Sequence, residues 1–517
     1  MTDTLRSSHG QVVDTAYGPV RGFDDGKVKA WLGIRYAKAP VGELRWRAPE
    51  PPSQWREVAD ATAVGQVCPQ PTDPKIPLDL GGQQGEDSLV LNIWAPSASE
   101  PGDRKPVMVW AHGGAYVLGS ANQPLYQGRV LASEGDVVVV TVNYRLGAFG
   151  FLDLSAFSSA TGLRFDTNLG LRDVLFALQW VRDNIAAFGG DPGRVTLFGE
   201  SAGGGIVTTL LASPAAEGLF SAAIAQSSPA TSIYDAERSR GVAGQVLDRL
   251  KIEPDDIGRL GDAPLGAILA ASKAVFNAVP ADTPGTLAFT PVVDGDLVPD
   301  YPVKLAREGR THPVPLIIGT NKHEAALFRW MKSPLMPITP EAIRAMFEQI
   351  AAEQPGLRLP SEADIRWAYS GLRTKAIGMG VARDVGFRMP SLWFADGSNY
   401  PGTANMRRGC CGWTPRMPQN CPTYGAISLP DRRIRLSSWA GSSTAVRCRS
   451  GCATAGSPSR PLPSRRAPRE NRSGARTAAT TAPPWSSTSR TRSSPTWIAI
   501  STRRGAARCS TSADAQS

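Results

Sequence analysis

Two periods of apolar residues alternate along the first 400 positions, and together they predict strands separated by helices. Short apolar runs bounded by Gly and Pro read as strands: Val12-Val13, Gly18-Pro19-Val20 and Trp31-Leu32-Gly33-Ile34. After a loop-rich stretch through Gly81-Gly82 come Leu89 to Trp94, Pro106 to Trp110 and Val137 to Val142. The run Pro106 to Trp110 is apolar throughout, as expected of a strand buried on both faces. Leu171, Val174, Leu175, Leu178, Val181 and Ile185 recur at helical spacing and predict an amphipathic helix, stopped by Gly189-Gly190-Asp191-Pro192. Ala222 to Gln226 and Leu316 to Gly319 continue the strand series. Strands alternating with helices predict an α/β fold, a mostly parallel central sheet with helices on both faces. No internal repeat is present.

The stretch Gly199-Glu200-Ser201-Ala202-Gly203-Gly204 interrupts this series in an informative way. It follows the β-branched run Val195-Thr196-Leu197-Phe198 and precedes a small-residue run leading into Ile206-Val207 and Leu210-Leu211. The order is strand, tight turn, helix, and within it lies G-x-S-x-G, which presents a serine hydroxyl above the end of a parallel sheet. Glycines flank the serine because a side chain there would meet the neighbouring strand and helix.

A serine hydroxyl is a poor nucleophile at neutral pH and needs a base to take its proton. The tetrahedral intermediate also needs hydrogen-bond donors aimed at its oxyanion. His112-Gly113-Gly114 follows the strand Pro106 to Trp110 directly, which makes the backbone N–H groups of Gly113, Gly114 and Ala202 candidates for an oxyanion hole.

Charge and cysteine divide the chain in two. The formal net charge of +10 comes from residues 401–517, which hold 19 Arg and no Lys against Asp431, Glu470 and Asp514. The preceding residues are mildly acidic, so neither a nucleic-acid nor a membrane partner is expected of them. Cys68 is the sole cysteine before residue 401, and six lie beyond it. One cysteine in so long a stretch supplies no disulfide framework and points to a reducing, cytoplasmic setting. Met1 to Gly18 lacks an apolar core of signal-peptide length, and no run long enough for a membrane span appears. The tail's cysteines have neither accompanying His nor paired spacing, so no metal site is expected.

Several strings resemble the type-B carboxylesterase family, which includes bacterial esterases and the cholinesterases. They are Trp31 to Ala37, Glu86-Asp87-Ser88-Leu89-Val90-Leu91-Asn92, His112 to Ala115, Val142 to Phe151, and Asn184 to Pro192 running on to Gly199–Gly204. The resemblance implies an α/β-hydrolase fold, a small-molecule ester substrate, no cofactor and a Ser-His-Glu triad. By it, Ser201 is the nucleophile, Glu324 in Gly319-Thr320-Asn321-Lys322-His323-Glu324 is the acid, and Glu200 is a buried supporting acid. It also implies that Ser88 stands where many relatives carry the disulfide partner of Cys68. His323 is expected to be a solvated loop residue, and oligomeric state is not legible.

The triad His is missing. The chain's histidines are His9, His112, His312 and His323, whereas the family's catalytic His lies well beyond the acid. The likeness ends at Asp396-Gly397, and the residues beyond are rich in Arg, Ser, Pro and Thr, without periodicity. Such a composition belongs either to a disordered segment or to a GC-rich gene read out of frame. The genetic code tests the second reading. Shifting the frame one base early turns Arg416 to Ile427 into a string compatible with His-Ala-Thr-Glu-Leu-Pro-Tyr-Val-Trp-Gly-Asn. Its Ala and Leu are forced by the codons of Met417 and of Asn420-Cys421. The same shift across Trp485 to Ser501 yields a segment that resembles the family's close. The expected organisation is therefore an incomplete hydrolase domain over 1–397 and a frame-shifted or disordered tail over 398–517. A catalytically inactive, cholinesterase-like binding protein and a non-functional product stand as alternatives to an impaired esterase.

Overall fold

The computed structural model describes residues 11–72, 78–161, 163–353 and 359–398. Eleven strands form among them: β1 (Val12–Asp14), β2 (Pro19–Arg21), β3 (Phe23–Asp24), β4 (Val28–Arg35), β5 (Ala59–Asp60), β6 (Val90–Pro96), β7 (Lys105–Ala111), β8 (Val138–Val142), β9 (Gly190–Glu200), β10 (Ala222–Gln226) and β11 (Leu316–Gly319). β1, β2 and β5 make a small separate sheet, and the other eight make the central one in the order β11-β10-β9-β7-β8-β6-β4-β3.

That central sheet has two halves. From β11 to β8 every neighbouring pair is parallel. From β8 through β6 and β4 to β3 the pairs are antiparallel. The parallel half supports the expected α/β architecture, and its strands are the most apolar: all of β8 is buried, as are Val107 to Ala111 of β7. Helices cover such strands on both faces, so side chains on both sides leave water. The antiparallel half was not legible from the pattern, because alternation reports burial and not strand direction.

The helix Leu169–Asn184 buries Leu171, Val174, Leu175, Leu178 and Val181, the predicted stripe. It is tied to the chain leaving β8 by a buried ion pair. Arg145 donates to both Asp173 oxygens, at 2.8 Å and 2.7 Å, and its remaining nitrogen reaches the carbonyl oxygens of Arg45 and Arg47. With each of the three guanidinium nitrogens partnered, the pair is tolerated in the core. Asn92 does similar work on β6, accepting from the Gly33 N–H at 2.9 Å and donating to Asn122 and Thr141. Cys68 is a free, buried thiol that accepts from the Leu146 N–H at 3.2 Å, with Ser88 beside it.

The last described helix, Met389–Gly397, buries Phe394 and lies against the helix Pro302–Arg307. Its end is close-fitted: a Cβ at Gly397 would sit 2.4 Å from the Ala306 carbonyl carbon. The expectations for residues 399–517, including the shifted histidine and closing segment, lie outside the described residues. No helix among the described residues is long and apolar enough to cross a membrane.

Candidate active site

β9, β10 and β11 are adjacent and parallel, so their carboxyl ends open on one edge of the sheet, where ligands of such folds bind. Ser201 follows β9, Ser227 follows β10, and Glu324 lies in the loop after β11. Residues 97 positions apart, Ser227 and Glu324, thereby meet.

Ser201 sits at φ 55° and ψ −121°, between the last residue of β9 and the helix Ala202–Leu211. A non-glycine residue in that region is strained and persists only where its surroundings hold it. Here the Ser201 N–H donates to the Gln226 carbonyl at 2.9 Å, and the Gly205 N–H donates to the Ser201 carbonyl. The glycines are required by close approach: a Cβ at Gly203 would lie 2.1 Å from the Ala111 carbonyl oxygen, and one at Gly199 2.6 Å from Gly203. Ala202 is the first residue of its helix, so its N–H has no intrahelical acceptor.

The His112–Gly119 loop leaves β7 and folds back over the serine. A Cβ at Gly113 would be 2.7 Å from Glu200 Oε2 and 3.2 Å from Ser201 Cβ. Gly114, Ala115, Tyr116 and Gly119 all have positive φ, a concentration of left-handed backbone that packs the loop tightly. The His112 ring anchors it: Nδ1 lies 2.8 Å from the Gly113 carbonyl oxygen, and the ring stacks on Tyr144 with centroids 4.4 Å apart. The Tyr144 hydroxyl donates to the His112 carbonyl at 2.7 Å. Burial pushes the imidazole down to about 4, so it is neutral near pH 7 and its Nδ1–H serves the loop. Among the described residues no acceptor is paired with the N–H of Gly113 or Gly114.

Two carboxyl groups lie at this edge of the sheet and act on one another. Glu200 is pushed up to about 7, first by burial and then by the charge of Glu324. Glu324 is half-buried, and its Oε1 accepts from the Ser227 hydroxyl at 2.5 Å and from the Asn321 N–H. Neither Ser227 nor Asn321 stood out in the sequence. The one signal available for Ser227 was its place directly after a parallel strand.

None of the described histidines is hydrogen-bonded to Ser201 or Glu324. His112 is committed to its loop, and His312 lies 2.7 Å from the Ser213 carbonyl, where its Nε2 must donate. His323 is exposed on the loop before Glu324, as expected of a solvated residue. Among the described residues no group of three or more His, Cys, Asp or Glu side chains is arranged to hold a metal ion.

A sheet whose parallel half delivers a strained serine to its carboxyl edge, beneath a glycine loop from the neighbouring strand, defines the α/β-hydrolase fold class. Within that class the chain belongs to the carboxylesterase family, whose model matches residues 9–366. It is 38% identical over 426 residues to the para-nitrobenzyl esterase of Bacillus subtilis (strain 168), covering 81% of this chain and 82% of that protein. Human carboxylesterase 3 is 38% identical over 337 residues, covering 62% of this chain and 55% of that one. Among solved structures, a PNB esterase superposes with a TM-score of 0.64 at 39% identity, covering 75% of this chain and 77% of its own. A Geobacillus stearothermophilus carboxylesterase gives a TM-score of 0.64 at 37% identity with the same coverage. The chain is a carboxylesterase-family hydrolase of ester bonds.

Proposed function

We propose that the site hydrolyses carboxylic esters through an acyl-enzyme on Ser201, and that the chain as written is impaired because the triad His is not encoded in its frame. The observation that carries this reading is the strained Ser201 facing the Gly113 loop, with Glu324 held at the adjoining strand end. The N–H groups of Gly113, Gly114 and Ala202 stabilise the oxyanion of the tetrahedral intermediate. Glu324 is the triad acid, held in place by Ser227, and Glu200 is the supporting acid beside the nucleophile. No cofactor takes part. The buried, unpaired Cys68 fits a cytoplasmic protein, and the mildly acidic body fits a small-molecule ester in preference to nucleic acid.

Restoring the frame near codon 397 should return a histidine at the Arg416/Met417 junction, together with the family's closing segment. In a Ser-His-acid triad, loss of the base alone costs about as much as loss of the whole triad, on the order of 10⁶-fold in turnover. The frame-restored protein should hydrolyse short-chain p-nitrophenyl esters, and Ser201→Ala should abolish that activity. The 517-residue chain should be slower by several orders of magnitude on the same substrate. A normal esterase rate from the chain as written would overturn the missing-base account, and an inactive restored protein would favour a binding role.

A further inference from the structure

Resting on the reading of Ser201 as nucleophile, we propose that Glu200 is the general base of the chain as written. Its carboxylate takes the Ser201 proton through one water, giving a slow activity on esters with good leaving groups. The geometry is that of two groups flanking one position: the space a methyl group would fill at Gly113 is bounded by Glu200 Oε2 at 2.7 Å and by Ser201 Cβ at 3.2 Å. Glu200 Oε2 therefore lies within about 6 Å of Ser201 Cβ, a span that one water can bridge to the hydroxyl, and a base one water away meets the first requirement for general base catalysis.

The surroundings select this group over the others. Tyr126, pushed up to about 12 mainly by burial, and Tyr144, also raised by burial, are neutral hydroxyls near it. His112 is neutral and fixed to its loop. Glu324, the one other carboxylate acting on Glu200, is already engaged by Ser227 and Asn321. Its charge and the burial of Glu200 both favour the protonated carboxyl, which makes the ionised form a stronger base than an ordinary carboxylate.

The chemistry balances without any added reagent. As Ser201 Oγ bonds to the acyl carbon, its proton passes to Glu200, and the tetrahedral intermediate expels the aryl oxide with its electron pair. Glu200 then loses the proton to solvent. In the second half, water attacks the acyl carbon while Glu200 takes its proton. Collapse breaks the C–Oγ bond, returns that proton to Ser201 and releases the carboxylic acid.

The test uses the purified full chain, p-nitrophenyl acetate and a pH series from 5 to 9, with Ser201→Ala, Glu200→Gln and Glu200→Asp beside it. The parent should show a Ser201-dependent rate that rises through a bend near 7. Glu200→Gln should lower that rate about 10²-fold at pH 8 and remove the bend. Glu200→Asp, which keeps a carboxylate at greater distance, should retain a bend at reduced rate. Matching far-ultraviolet circular dichroism and a cooperative melt certify that the variants are folded. A Glu200→Gln protein with the parent's rate and profile overturns the inference, and so does a parent without any Ser201-dependent rate. If the frame-restored enzyme is active while this chain is not, the role of Glu200 fails and that of Ser201 stands. If the restored enzyme is also inactive, the reading of Ser201 itself fails.

Discussion

The Ser227 hydroxyl donates to Glu324 Oε1 at 2.5 Å, linking the residue after β10 to the loop after β11. Ser227 holds φ 50° to do so, and its N–H donates to the Gly319 carbonyl at 2.7 Å. The serine is therefore fixed by the backbone of the strand that carries the acid. Its hydroxyl orients a carboxylate that, in the proposed triad, must point at an imidazole.

Removing that hydroxyl should loosen the acid without touching substrate. A hydrogen bond to a charged group contributes about 1.5–3 kcal/mol. In the frame-restored enzyme, Ser227→Ala should lower kcat by roughly tenfold or more and leave KM nearly unchanged, because the effect falls on the triad and not on binding. Steady-state kinetics on a p-nitrophenyl ester decide it. A rise in KM at constant kcat would place Ser227 in substrate binding instead.

The turn at Ser201 makes a stability prediction. A Cβ at Gly203 would stand 2.1 Å from the Ala111 carbonyl oxygen, and that neighbour is backbone of a central strand, which cannot swing aside. Gly203→Ala should destabilise the fold by about 1–3 kcal/mol through overpacking. Gly241→Ala, in the helix Ala236–Leu250, meets nothing within 4 Å and should be neutral or stabilising. Urea titrations of the two variants, compared with the parent, separate these outcomes.

Burial of Glu200 has a pH consequence whose sign is definite. Its folded value of about 7 lies above the ordinary 4.5, so the folded state holds a proton that the unfolded state has released. Stability should fall as pH rises from about 4.5 to about 7 and level off beyond. Below that window both states are protonated and the group contributes nothing. Glu200→Gln removes the cost of ionising the buried carboxyl. It should be more stable than the parent at pH 8, by at most about 3 kcal/mol, and equal to it near pH 4. Denaturant melts at the two pH values check this.

How much of this was legible in the sequence differs from residue to residue. The elbow was, because close backbone approach demands glycine on both sides of Ser201 and leaves a spacing that can be read directly. The helix Leu169–Asn184 was, because one buried face imposes a helical period on Leu171 through Val181. Glu324 came through its family-like string alone, since a lone loop carboxylate carries no pattern. Ser227 did not come through at all: its partner is 97 residues away and only the order of β10 and β11 in the sheet brings them together. The burial of Glu200 came through the resemblance alone, as the loop that buries it leaves a different strand.

The sheet edge supplies the last prediction. Among the described residues β11 pairs with β10 alone, so its outer backbone groups face away from the sheet. In the following helix, Ala326–Trp330, Leu327 is 56% and Trp330 74% exposed. An open strand edge beside exposed apolar side chains is a template for pairing with another chain. On the proposed reading, the frame-restored protein should supply the closing segment that the family places after its catalytic histidine, and the 517-residue chain should lack it. The chain as written should therefore associate at micromolar concentration, and light scattering should rise with concentration and with temperature. Trp330→Glu combined with Leu327→Lys should reduce the scattering, because charges beside an edge oppose edge-to-edge pairing. The restored protein should elute as a single species and melt cooperatively. A monodisperse, cooperatively melting chain as written would show that the β11 edge is already covered, and the account of an incomplete sheet would fall with it.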